Sequence, residues 1–142
     1  MTYKYWKEGI ILVINQLEKV VKCNEVTEKF GLKLSNSQAI ELLEYRQEIL
    51  AIEQRVEFNE GILNQLIFVF CDSPFIIQEN YVETIEGIQE IFYNFKNQYE
   101  DRVSDDELLD FMKNYFDGEC QGSLDYLEEK LWIKRSTLLW KR

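Results

Sequence analysis

The side chains of this chain best suited to chemistry are Arg46, Glu53, Arg55, Glu57 and Asp72. An arginine presents a planar fork of N–H donors that grips a carboxylate or another anion, and nearby carboxylates orient the ligand or neutralise the arginine. Arg46 is the most unusual of the five. On a helix, Ala39, Leu42, Leu43, Ile49 and Leu50 surround the direction in which it points, and Glu53 lies on nearly the same line. A charge on an apolar face needs a partner, because an unpaired buried ion is strongly destabilising. The plain expectation is an ion pair, or a stem that packs while its head reaches water. The functional alternative is an arginine-lined anion or carboxylate pocket. Arg55-Val56-Glu57-Phe58 falls at a helix–helix corner, where charges usually cap ends or bridge loops. Asp72-Ser73-Pro74 reads as a plain helix start, with the rim of a cleft as the alternative.

Other chemistries are excluded by what the chain lacks. Histidine is absent, which removes Ser-His-Asp and Cys-His catalysis, HExxH zinc sites and Glu-x-x-His di-iron sites. A general base near neutral pH would have to be a carboxylate, lysine or cysteine with a displaced pKa. Neither GxGxxG nor GxxxxGK[ST] occurs, so no dedicated phosphate loop is expected. Asp117–Gly122 lacks the alternating ligands of a calcium loop. Cys120, beside two acids, should have a raised thiol pKa and make a poor thiolate. Glu79, Glu83, Glu86 and Glu90 share a helix stripe, but it lies opposite the apolar stripe and should face water. No metal and no cofactor are expected.

These residues must be positioned by helices. Trp6, Ile10, Val13, Leu17 and Val20 step by four and three, predicting an amphipathic helix from about Trp6 to Val21. Ile10–Ile14 is β-branched enough to leave a strand as the alternative there. A short turn over Glu25–Phe30 should stop at Gly31, with glycine in the left-handed position. Ser35 and Gln38 form a capping box, with Leu34 stapled to Ala39, opening a helix to about Arg55. Gly61–Cys71 reads as a buried helix, or less readily a central strand. Ser73 as N-cap and Pro74 in the first turn should start a long helix to about Tyr99. Its apolar residues Tyr81, Ile85, Ile88, Phe92, Phe95 and Tyr99 again step by four and three. Ser104 and Glu107, stapled by Val103 and Leu108, open a helix ending at Gly118, and Ser123 caps the last one. The fold expected is all-α, a single compact bundle of about five to seven helices in one domain spanning residues 1–142.

Composition narrows the setting. The chain has 142 residues, 46% of them hydrophobic and 14% aromatic, with a net charge of −10, which fits a globular protein and disfavours binding to nucleic acid or anionic lipid. The charge is unevenly placed. The first 129 residues hold all 26 acids, while residues 130–142 hold five of the 16 bases and no acid. If that segment is helical, Trp132, Ile133, Leu139 and Trp140 share one side and Lys134, Arg135, Lys141 and Arg142 the other. It reads as a final core helix, or as a docking segment in which Trp132, Lys134, Arg135 and Trp140 meet the acidic surface of a partner. It is too short for stable membrane association. Three scattered cysteines and no signal peptide point to free thiols in the cytoplasm.

Several strings resemble an uncharacterised family of small bacterial proteins, seen mainly in clostridia and relatives and known only as a domain of unknown function. They are Lys22–Gly31, Arg55–Phe58, Phe70-Cys71-Asp72-Ser73-Pro74-Phe75, Gln78–Tyr81, Ser104–Glu107 and Tyr115–Gly122. The resemblance covers most of residues 20–129 and is weaker in the tail. It implies a bacterial cytoplasmic protein and carries no activity with it. The function expected is a non-enzymatic helical interaction module, acting on a protein partner or as a homo-oligomer. The alternative is a small-molecule-binding protein or enzyme with an Arg/carboxylate pocket.

Overall fold

The computed structural model describes residues 16–58 and 61–140, with side chains to residue 137. Most of the predicted first helix therefore lies outside the described residues. Its end is seen as α1, residues 16–22, followed by α2, Asn24–Thr27, and a 3-10 turn, Glu28–Phe30. Gly31 closes that turn at φ +81°, as expected. The amide of Asn24 then grips the backbone N–H and C=O of Leu34 at 2.9 and 2.8 Å, fixing the approach to the next helix.

That helix, α3, spans Asn36–Glu53 and carries both halves of the Ser35–Gln38 capping box. Leu34 and Ala39 are both buried. After α3 come α4, Leu63–Phe70; α5, Tyr81–Gln98; α6, Asp105–Asp117; and α7, Leu124–Trp140. Ser104 caps α6 by accepting from the Glu107 N–H at 3.2 Å, and Ser123 caps α7 by accepting from the Tyr126 N–H at 3.2 Å. The all-α bundle is the observed fold, and no strand occurs among the described residues.

One helix start is different from the prediction. Ser73 does not cap a helix at Pro74. Its hydroxyl donates to Asp117 at 2.6 Å and accepts from the Phe75 N–H at 3.2 Å, so residues 73–77 run as an irregular connection. Asn80 instead accepts from the Ile77 N–H at 2.9 Å, a 3-10 turn forms over Gln78–Asn80, and α5 begins at Tyr81. A long-range acceptor won the serine that the local pattern assigned to a cap.

Helix directions follow from the pairs. Leu42 with Gln89, Tyr45 with Glu90 and Glu53 with Asn97 advance together, so α3 and α5 are parallel. Gly87 with Leu124, Phe95 with Trp132 and Gln98 with Arg135 do the same for α5 and α7. The short turns at 99–104 and 118–123 make α6 antiparallel to both. α5 lies at the centre, in contact with α3, α4, α6 and α7. Its apolar stripe is buried throughout, and Phe70, Phe75 and Phe116 add edge-to-face pairs at 5.6 and 6.4 Å. Each such pair contributes about 1 kcal/mol beyond the area it buries.

Candidate functional site

α3 ends because Gln54 turns left-handed, at φ +57°. The reversal lays residues 55–58 across α5 as an extended strap. Charged and apolar side chains alternate along it with their usual preference inverted. Arg55 turns inward and holds both oxygens of Asp101, at 2.7 and 3.1 Å, while its Nη1 also donates to Asn97 at 2.6 Å. These bonds from Arg55 hold the Asp101 carboxyl below its ordinary range, and the Asp101 carboxylate raises Arg55 in return. Glu57 also turns inward. Its Oε1 accepts from Arg46 Nη2 at 3.3 Å and from the Tyr93 hydroxyl at 2.5 Å. Between and after them, Val56 and Phe58 are each 83% exposed.

Arg46 is 0% exposed, deep between α3 and α5. Its partner is Glu57 on the strap rather than Glu53, two turns further along the same stripe of α3. Arg46 Nε and Nη1 have no hydrogen-bond partner among the described residues, and neither has the Oε1 of buried Gln89, one turn from Tyr93 on α5. Burial pushes the Tyr93 phenol well up, and its bond to Glu57 adds to the shift while Arg46 opposes it. Gly61 packs directly against this ion pair. A Cβ there would meet Glu57 Oε1 at 1.8 Å and Arg46 Nη2 at 2.7 Å.

Glu53 is pulled the other way, accepting from Asn94 at 3.3 Å and Asn97 at 3.1 Å on α5. It lines a cleft of about 250 Å³ between α3, α5 and α7, with Glu90, Asn94, Asp125 and Glu128 around a floor of Gly87, Ile91 and Leu124. Tyr45 donates to Glu90 at 2.8 Å and is pushed up to about 12, by burial first and then by that bond. Of the acidic stripe, Glu79 falls in the 3-10 turn before α5, and it and Glu83 and Glu90 on α5 are exposed as expected. Glu86 is half-buried, and burial, with Glu41 beside it, raises its carboxyl to about 7. Among the described residues, no three His, Cys, Asp or Glu side chains are grouped to hold a metal ion.

Asp72 belongs to a different network. It takes Lys113 at 2.7 Å, and Lys113 reaches Asp117 at 2.8 Å, tying the connection after α4 to α6. Thus Arg46, Glu53, Arg55 and Glu57 meet around the C-terminal half of α5, and Asp72 does not join them. Cys71 and Cys120 are free thiols, and all three cysteines, Cys23 included, are buried. Burial raises the thiols of Cys71 and Cys120, with Asp72 and Glu119 respectively adding to it.

The tail is helical to Trp140 and packs on the bundle through a side other than the one Trp132 and Ile133 mark. Leu127 and Leu131 point inward, Trp132 and Ile133 are 51% and 63% exposed, and Lys134 and Arg135 are half-buried. Trp132 keeps an edge-on contact with Phe95 at 5.7 Å. Arg135 Nε donates to the Gln98 carbonyl at 2.9 Å. Arg55 and Arg135 therefore both serve the C-terminal end of α5, where the helix dipole favours cations. The side chain of Trp140, and Lys141 and Arg142, lie outside the description.

Sequence reasoning passed over Tyr93, Gln89, Asn97, Asp101 and Lys96. Tyr93 and Gln89 lie off the principal stripe of α5, yet the i, i+4 pair marked a second buried face. Lys96 is nearly buried, donating to the Val103 carbonyl at 2.8 Å and pairing with Asp105 at 2.9 Å. Nothing in its local sequence distinguished it from a surface lysine.

A protein-family model, described as a family of unknown function (DUF6323), matches residues 19–137. The match includes the strap, Asp72 and α7 as far as Thr137. No curated protein and no solved structure matches the chain.

Proposed function

The chain belongs to DUF6323, a family of unknown function, and on its geometry we propose that it is a non-enzymatic helical protein-interaction module of the bacterial cytoplasm. The observation that carries this reading is the inverted strap. Arg55 is anchored by Asp101 and Asn97 and Glu57 by Arg46 and Tyr93, and that anchoring holds Val56 and Phe58 out at 83% exposure. A rigid segment presenting apolar side chains to water lowers the ordering cost of binding and gives a partner an apolar anchor. Separate, buried thiols support the reducing compartment. No helix among the described residues is long and apolar enough to cross a membrane.

The test is site-specific photo-crosslinking in the source cell from residue 58, and from exposed Lys29 as the control. A discrete adduct from residue 58 that is absent from residue 29, and is lost in Val56→Ser, is expected. The same adduct pattern from both positions would remove this reading.

A second reading is favoured by one observation, the unpartnered Nε and Nη1 of buried Arg46. In it Glu57 occupies an anion site that a small carboxylate takes by displacing the strap. Formate should then raise the melting temperature of Glu57→Gln more than that of the unaltered protein. Equal response would end it.

A further inference from the structure

Glu57 is a poor match for the cation it neutralises. Its Oε1 meets Arg46 at one nitrogen only, Nη2, and the 3.3 Å between them is long for a bond between full charges. The same oxygen also accepts from the Tyr93 hydroxyl at 2.5 Å, so it is shared with α5. Arg46 Nε and Nη1 are left without partners among the described residues, although the residue is fully buried. Nε and Nη2 lie on one edge of the guanidinium plane, and that edge can donate two parallel bonds of about 2.8 Å to a single carboxylate. A buried donor left unmet is costly. A carboxylate that spans the edge is therefore favoured over the one the strap supplies.

Access runs through Glu57, whose side chain keeps 19% of its exposure while that of Arg46 has none. On either side of it in sequence, Val56 and Phe58 stand out from the strap. Arg55 holds Asp101 and Asn97 without help from Glu57, so the strap stays attached at residue 55 when Glu57 leaves. The complementary ligand is thus a carboxylate carried between apolar groups. We propose that the strap and Arg46 form a docking site for a glutamate-bearing peptide segment of a protein partner. Its carboxylate exchanges with Glu57 on Arg46, and its neighbouring apolar side chains pack against Val56 and Phe58. The inference rests on the displacement of Glu57 described above for a small carboxylate, and it names the ligand that brings the carboxylate. Exchange of one carboxylate for another adds no charge to the buried site. A glutamate side chain has the reach that Glu57 itself uses from the strap.

Nitrogen-15 NMR of the Arg46 Nε–H in the full chain tests it. The probe is the capped peptide acetyl-Ser-Val-Glu-Phe-Ser-amide, which repeats the strap's own pattern, and the control carries Gln in place of Glu. The glutamate peptide should shift the Arg46 signal and saturate, and the glutamine peptide should leave it in place. Glu57→Gln removes the competing acid and should tighten binding about tenfold. Val56→Ser, at an exposed position, should weaken it about threefold. If circular dichroism shows that Glu57→Gln has lost its fold, the two peptides on the unaltered protein decide alone. Equal shifts from both peptides, no shift from either, or a folded Glu57→Gln that binds no tighter would each overturn the proposal. So would a glutamine peptide with a free C-terminal carboxylate that binds where the capped glutamate peptide does not. Formate separates this inference from the reading beneath it. If formate stabilises Glu57→Gln and the glutamate peptide moves nothing, only the peptide is lost; if neither acts, both are.

Discussion

Arg46 and Glu57 stand 3.3 Å apart across the α3–α5 interface, the arginine wholly buried and the glutamate delivered from outside its helix. Removing the acid leaves a buried cation with no counter-charge, which usually costs about 3–5 kcal/mol. Glu57→Ala should therefore lose about 3 kcal/mol in urea denaturation. Glu53→Ala gives up only amide bonds to Asn94 and Asn97 and should lose about 1 kcal/mol. Equal losses would mean that Glu57 is not the counter-charge.

Gly61 and Gly31 allow steric and conformational effects to be separated. Both have positive φ, +57° and +81°, but a Cβ at Gly31 meets open space while one at Gly61 runs into Glu57 and Arg46. Gly31→Ala should cost about 1 kcal/mol from backbone strain alone. Gly61→Ala should cost at least about 2 kcal/mol more, since it also disturbs a buried ion pair. Melting temperatures of the two variants measure the difference.

Glu86 sets a pH dependence. Its folded value, about 7, lies above the ordinary 4.5, because burial and Glu41 disfavour the charge. The native state therefore keeps this proton longer than the unfolded chain. Stability from the group is complete below about pH 4.5 and is lost as pH rises through about 7. Allowing for solvent screening, Glu86→Gln should be more stable than the parent by about 1 kcal/mol at pH 8 and nearly equal at pH 4.5. A constant difference across that range would show that Glu86 is charged normally.

Tyr99 ties α5 to α7 by donating to the Leu131 carbonyl at 2.7 Å from a buried position. Tyr99→Phe leaves that carbonyl without its donor at a cost of about 1 kcal/mol. Hydrogen exchange should accelerate in α7 and remain unchanged in α3. Uniform acceleration would place the bond in global rather than local stability.

The local chemistry of caps and periodicity made most of the helices legible. Ser35–Gln38, Ser104–Glu107 and Ser123 each mark a start because the deciding bonds span only three residues. Ser73 misled because its hydroxyl is taken by Asp117, far along the chain, and such competition leaves no local trace. The site was half legible. Arg46 announced that it needed an acid, and Arg55 and Glu57 were recognisable as corner charges. Which acid satisfied Arg46 depended on the left-handed turn at Gln54, a conformation that Gln rarely signals. In α7, the segregation of Trp132 and Ile133 from Lys134 and Arg135 was readable, but which side faced the core depended on α5 supplying the Gln98 carbonyl.

The parallel packing of α5 and α7 keeps one constant offset: Gly87 faces Leu124, Phe95 faces Trp132 and Gln98 faces Arg135, each pair 37 residues apart. The chain between them works as a ruler. One residue gained or lost between 98 and 124 would move every α7 side chain by about 100° around its axis or force the turns to absorb it. Homologous chains should thus vary in length elsewhere, and hold the number of residues from the end of α5 to the start of α7 fixed.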